Sequence, residues 1–491
     1  MTTTLWSFAA FAGILLVGVI IDPSAGAFTL SVLIAATGAL LVGMAAQAAT
    51  DASRLGLFNP SVLLFGYLGL VYVGRPLYIM GSGELGTHQM GRYEIGFGYS
   101  GMITTSLIVL IALATFSILY STAPTLGMSR VYCRLLRGRR TYGLRLLVLF
   151  FISFAGAAYV VLKSMQDFGD LRIALSLRAD LYAGEQYLIF VLQAYKFGFL
   201  FWLADRLSAK VRSPRKLALM AVILWLPAFG FDFLTGSRAD LIYRNLLPVA
   251  AILCTSAALR RPLLRYALVP VLVAVIAFVG IRVGVRDAAA AEATGTVSQS
   301  DFWDTIVSLP EFVLSGDEAA VFDAFSIILM QNTSALPPRG MEGVAAFLLA
   351  PVPSGLLDEK PVRSTTYFTE IVRPSLAASG GNIAISSLGD LYLVGGAAVA
   401  VVGYGAVGFI AGLLVRGVSV AATRIGARKQ LVVLGFAAVA GLMSVIRADT
   451  TELALLPLRL GLPILVILFL ALDIRPSSRR ATSVSRSRWR V

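Results

Sequence analysis

The sequence predicts an all-α polytopic integral membrane protein. It should have about twelve transmembrane helices and one large extracytoplasmic loop that contains short helices. Three observations predict this. Mean hydropathy is +0.81 over 491 residues, and only 14% of residues are charged, against about 25% in a soluble globular chain. Many apolar runs approach the ~20 residues needed to cross a hydrocarbon core of ~30 Å. The lysines and arginines also gather in alternate connections between those runs. A large soluble enzyme and an intrinsically disordered chain are excluded, because neither carries this much apolar sequence.

In chain order the expected spans are 5–21, 27–49, 60–80, 97–120, 144–162, 186–204, 217–235, 241–258, 266–285, 390–415, 430–447 and 452–472. The first is read as a retained span. Its flank, MTTTLW, lacks the basic region of a cleaved leader, and a second span follows at once. The connections after spans four, six, eight and ten, the tail and Arg54 together hold 25 of the 41 basic residues. Only Asp51, Asp205 and Asp473 accompany them, which leaves 16 basic and 24 acidic residues for the rest of the chain. Alternation through twelve spans puts all these basic connections and both termini on one side, which the positive-inside rule makes cytoplasmic. The net charge of +14 is therefore a topology signal, and no nucleic-acid partner is expected. Cys133 and Cys254 fall near cytoplasmic ends, so no disulfide is expected.

This divides the chain into helices one to nine over 1–285, a large outward loop over 286–389, helices ten to twelve over 390–472, and a basic cytoplasmic tail over 473–491. The loop is too long for an ordinary connection. It should contain a helix at 317–331 and an apolar, Pro-rich stretch at 347–357 that can lie against the bilayer.

Arginines gather at outward helix ends: Arg75, Arg238, Arg244, Arg282, Arg286, Arg447 and Arg459. Charge at membrane depth is costly, and a guanidinium suits bidentate phosphate recognition. Ion pairing with Asp240, Asp287 or Asp449 is the plain alternative. Ser237-x-x-Asp240, Ser387-x-x-Asp390 and Asp449-x-x-Glu452 open three spans on that side. Each reads as a helix cap, and together they would make an anion-binding surface of helix N-termini. Lys196 and Gln193 lie inside span six, either paired in the bundle or lining a cavity.

His88 is the only histidine, and the first outward loop holds Asp22 without an acidic partner. No metal and no cofactor is expected. For a general base the candidates are Asp323, placed first because it lies within the helix at 317–331, then Asp317, Glu318, Glu370 and Asp240. A solvated helix face is the plain reading of Asp323.

NPSVLLFGYLGLVYVGRPLY (59–78), TGSRADLIYRNLLP (235–248), PVPSGLLDEKP (351–361) and the Gly-rich run 380–414 resemble the oligosaccharide repeat-unit polymerases, the Wzy-type O-antigen and exopolysaccharide polymerases. Pro353, Leu356, Lys360 and Pro361 match a P-R-x-L-W-P-x-K-P stretch of such proteins, with Ser354 and Leu357 at its Arg and Trp positions. Asp390 stands where Glu is common. The resemblance implies an enzyme of the bacterial inner membrane, a glycosyltransferase that joins undecaprenyl-diphosphate-linked oligosaccharide units at the outer face. It adds Lys360 to the diphosphate-binding candidates and implies membrane lipids and a chain-length-regulator protein as partners. An O-antigen ligase or another lipid-linked-sugar glycosyltransferase, and a polysaccharide flippase, are the alternatives.

Reporter fusions at Gly295 and Thr482 should report opposite sides of the membrane. The same side for both would break this topology.

Overall fold

The computed structural model describes residues 2–51, 59–85, 93–94, 99–136, 139–141, 143–168, 186–208, 216–217, 219–225, 247–254, 321–352, 356–357, 359–378, 382–424, 428–470 and 472–474. Six helices in it are long and apolar enough to cross a membrane: Thr3–Ile21, Ala25–Thr50, Pro60–Ser82, Ser100–Thr122, Ser386–Ala422 and Lys429–Arg447. They coincide with expected spans one to four, ten and eleven. Helices also stand at expected spans five (Gly143–Phe168), six (Gln186–Ser208) and twelve (451–470). Span nine lies outside the described residues.

α1 (Thr2–Ile21) and α2 (Ala25–Asp51) form a hairpin. Asp22 makes the turn: its carboxylate accepts from Ser24 N at 2.8 Å and from the Tyr99 hydroxyl at 2.5 Å. The Tyr99 hydrogen bond holds the Asp22 carboxyl below the ordinary range. α3 (Pro60–Ser82) starts where the sequence spells a cap. Asn59 accepts from Ser61 N at 3.1 Å, and Pro60 occupies the first turn, where no N–H is needed. α3 widens into one π-helical turn at Leu70–Gly74, just before Arg75.

α4 (Ser100–Thr122) packs along a long helix, 386–424, whose α-helical parts are Ser386–Ala411 and Gly417–Arg424. Two glycines permit the approach. A Cβ on Gly408 would sit 2.4 Å from the Phe116 carbonyl oxygen, and one on Gly412 2.4 Å from that of Tyr120. Small residues serve this purpose in membranes, where helices gain nothing from leaving an equally apolar solvent and must pack closely instead. The long helix is also broken near its start, at Gly395 and Gly396, where Gly396 has φ 73°.

α5 (Thr125–Leu136), α6 (Gly143–Phe168), α7 (Gln186–Ser208) and α8 (Leu247–Cys254) follow. α9 (Val321–Ala335), α10 (Met341–Leu349) and α11 (Ser364–Val372) belong to the region expected as the outward loop. The broken helix is α12 (386–424), followed by α13 (Arg428–Arg447) and α14 (451–470). α14 takes a π-turn at Pro457–Gly461, since Pro457 has no N–H for the α-helical ladder. Two apolar clusters fill the interior, one around α2, α3, α4 and α9, the other around α6, α7 and α8. α12 and α13 contribute to both. Leu5, Phe8 and Ile20 on α1 and Phe151 and Phe154 on α6 are exposed, as lipid-facing surfaces require.

Contacts between distant connections sort them into two ends. At one end Arg139–Thr141 pairs antiparallel with Leu472–Ile474. There Lys429 Nζ donates to Leu207 O at 2.6 Å, and Arg416 Nη1 to Tyr120 O at 3.1 Å. At the other end lie the Asp22–Tyr99 contact, the small ladder of Glu84–Leu85 with Tyr93–Glu94, and α10 and α11.

α9 departs from the sequence reading. The expected helix at 317–331 is described over Val321–Ala335, and residues 321–328 are buried without interruption. It is not a solvated face. It packs among α4, α12 and the π-turn of α3, which its apolar residues Val321, Phe322, Phe325 and Ile328 require.

Gly408→Leu should force α4 and α12 apart, costing roughly 1–3 kcal/mol of overpacking and lowering the thermal unfolding midpoint of the purified protein. Gly66→Ala, where a Cβ meets nothing within 4 Å, should leave the midpoint unchanged.

Candidate functional site

The end of α13 and the start of α14 are joined by Ala448, Asp449 and Thr450. Asp449 is fully buried, and an ionised carboxylate there needs several donors. It accepts from Thr451 N at 3.1 Å and from the Thr451 hydroxyl within its own turn. From α11 it accepts from Thr365 N at 3.4 Å and Thr365 Oγ1 at 3.1 Å. Arg363 Nη2, just before α11, adds a charged donor at 3.0 Å. Burial alone would raise the Asp449 carboxyl, but Arg363 and the hydrogen bonds from Thr451 and Thr365 outweigh it and hold it below the ordinary range. Burial would likewise lower Arg363, yet Asp449 and Glu452 raise it above its ordinary value.

Glu452 takes the second contact of Arg363, at 2.7 Å, and also pairs with Arg459 from the π-turn of α14. Arg363, Arg459 and Arg447 line one cleft of about 290 Å³, with Glu452 as its only acidic lining residue among those described. Thr365, Ser444 and Asn382 add polar groups, and Tyr67 and Met443 add apolar wall. With Asp449 paired to Arg363 beside the cleft, three arginines stand against two carboxylates, a net charge of +1 (3 − 2).

Behind this turn sits Asp390, 2% exposed. It accepts from Thr450 N at 2.8 Å and from the Thr450 hydroxyl, with Ser364 beside it. The expected Ser387-x-x-Asp390 cap is therefore corrected. Ser386 Oγ accepts from Gly389 N at 3.0 Å at the start of α12, while Asp390 reaches across to the start of α14. Asp449-x-x-Glu452 is only partly a local cap, because both acids also bind Arg363.

The other expected site residues fall in several places. Arg447 lines the cleft, as does Arg459. Arg75 and Asp323, expected as ligand-binding cation and general base, instead bind one another. Arg75 Nε donates to Oδ1 at 2.8 Å and Nη2 to Oδ2 at 2.5 Å, with the side chains 1% and 0% exposed. This bidentate pair docks α9 onto α3. Removing one partner of such a buried pair costs roughly 3–5 kcal/mol. Lys360 Nζ donates to Ala350 O at 3.0 Å and Val352 O at 2.9 Å, closing the C-terminal end of α10 outside the cleft. Glu370 is exposed on α11. Lys196 and Gln193 are buried in α7. Asp240, Asp317, Glu318, Arg238, Arg244, Arg282 and Arg286 lie outside the described residues.

Arg363 and Thr365 are functional candidates that sequence reasoning missed. Their signal was KPVRSTT, an arginine beside a run of helix-starting hydroxyl residues directly after Lys360 and Pro361. Among the described residues no three His, Cys, Asp or Glu side chains come together as metal ligands. Comparison with protein-family models, with characterised proteins and with solved structures gives no match.

The lowered Asp449 sets a pH test. A depressed carboxyl contributes stability above its unfolded value of about 3.9 and loses it as pH falls through the folded value. Asp449→Asn should be less stable than the wild type by a constant margin between pH 7 and about 5. Below about pH 4 that margin should shrink in thermal unfolding. A margin independent of pH would show that Asp449 is not held ionised.

Proposed function

We propose that this chain is an integral membrane glycosyltransferase, a polymerase of undecaprenyl-diphosphate-linked oligosaccharide repeat units, and that the arginine cleft receives the diphosphate. The observation that carries the reading is the convergence of Arg363, Arg447 and Arg459 on one cleft at the end of the bundle. A diphosphate leaving group gains negative charge as its bond to the anomeric carbon breaks. Fixed guanidinium groups stabilise that charge without reorganising. The acceptor sugar hydroxyl attacks the anomeric carbon, the electron pair leaves with the diphosphate, and the proton passes to a nearby base. Glu452 is the cleft carboxylate nearest to that task. Both its oxygens are engaged by Arg363 and Arg459, so most of the rate falls to leaving-group stabilisation. Asp323 is assigned to holding α9, because a buried carboxylate in a bidentate pair cannot reach a sugar hydroxyl.

The membrane topology proposed with this function has twelve spans, cytoplasmic termini and the cleft on the periplasmic face of a bacterial inner membrane. The pairing of Arg139–Thr141 with Leu472–Ile474 supports it, since it joins two of the basic connections at the end opposite the cleft. The partners proposed are the lipid-linked oligosaccharide, membrane lipids and a chain-length regulator.

The break in α12 favours a second reading, a flippase, because discontinuous helices mark substrate sites in transporters. Here the break lies about nine residues from the start of the helix, and the freed Leu393 carbonyl accepts from Arg339 N at 2.7 Å. It is closed by protein, so the enzyme reading is preferred.

The test is glycan chain length in a deletion strain complemented with variants. Arg459→Gln and Arg447→Gln should each lower polymerisation by about 10²–10³-fold, the usual loss of one charge-stabilising donor, and leave mainly single repeat units. Long chains not attached to their acceptor would instead identify a ligase. Full-length attached polymer from the double variant, at normal membrane level, would refute a role for the cleft.

A further inference from the structure

The cleft depends on Arg363 being held at one place, yet Arg363 begins α11 without a side-chain cap, in an extended conformation with φ −69° and ψ 150°. What fixes it lies one layer deeper. Arg339 is buried, and its guanidinium grips the residues on both sides of Arg363. Nη2 donates to Val362 O at 2.6 Å, and Nη1 donates to Ser364 Oγ at 2.7 Å. The same guanidinium pairs with Glu342 at 2.8 Å and lies 5.2 Å from the centre of the Tyr367 ring. Its own backbone N–H holds Leu393 at the break in α12.

From Ser364 the contacts continue to the opposite wall. Ser364 lies beside Asp390, and Asp390 holds Thr450 N at 2.8 Å, in the turn that leads from Asp449 to Glu452. Arg339 thus fixes the backbone that presents Arg363 and, through Ser364 and Asp390, the turn that receives it. It does not line the cleft.

We propose that Arg339 is a positioning residue for the anion cleft, setting the cleft's electrostatic field through the backbone of residues 362–364. This rests on the reading of the cleft as the diphosphate site. The planar fork is essential: a lysine has one compact ammonium and cannot bridge Val362 O and Ser364 Oγ in the same way.

The test measures the field in the cleft directly, apart from catalysis. In a full-length protein carrying Cys133→Ser and Cys254→Ser, a Ser444→Cys substitution places one thiol on the cleft wall. Its modification rates by an anionic and a cationic methanethiosulfonate reagent are compared. The parent should favour the anionic reagent by about tenfold, the lower end of the enhancement a charged cleft gives. Arg339→Ala should bring that preference down to the level of Arg363→Ala, and combining the two should lower it no further. Arg339→Lys should fall with Ser364→Ala, between the extremes. A purely structural Arg339 would lower the unfolding temperature and leave the preference unchanged. An unchanged preference in folded Arg339→Ala overturns the proposal. If that variant does not fold, an unchanged preference in Ser364→Ala overturns it. A parent with no preference for the anionic reagent overturns the cleft reading itself, and this proposal with it.

Discussion

A carboxylate with no solvent contact has to be compensated by its neighbours, and Asp449 is compensated from two directions. Its own turn gives it the Thr451 amide and hydroxyl, and α11 gives it Thr365 and Arg363. These bonds join α11 to the connection between α13 and α14. Arg363 Nη2 bridges Asp449 and Glu452, and Glu452 in turn gathers Arg459. The cleft follows from that arrangement. Anchoring one buried negative charge brings two arginines to its rim, and the end of α13 supplies Arg447 as the third.

The rest of the molecule reflects a solvent that is apolar. α1 and α6 expose phenylalanine and leucine. Helix contact comes from shape, as at Gly408 and Gly412 against α4. Arg75 and Asp323 enter the bundle as a matched pair. That pair costs more to break than to keep and fixes the place of α9 among the spans.

Local features were legible in the sequence, and long-range ones were not. The span expected at 60–80 begins at Pro60. Arg447 and Arg459 were expected at an outward helix end, and both line the cleft. Arg75 and Asp323 were each singled out, but 248 residues separate them, and nothing local says that one neutralises the other. The same holds for Arg363 and Asp449, 86 residues apart. The break in α12 was hidden because residues on both sides are apolar, so the run reads as one span, and only the Gly395-Gly396 pair marks it. Asp390 looked like a cap because its spacing from Ser387 fits one, yet Ser386 performs that task and frees Asp390 for a tertiary contact. Spacing identifies which residues can cap a helix, and packing decides which of them does.

The central claim is that an electropositive cleft at one end of the bundle recognises the diphosphate of a lipid-linked glycan. The most direct measurement is binding of undecaprenyl diphosphate, against undecaprenol, to the full-length protein in lipid nanodiscs at two salt concentrations. The account predicts that the diphosphate binds at least about tenfold more tightly and that the difference shrinks at high salt, as screening of exposed charge requires. Equal affinity for the two lipids, or a preference indifferent to salt and to removal of Arg447 and Arg459, would contradict it.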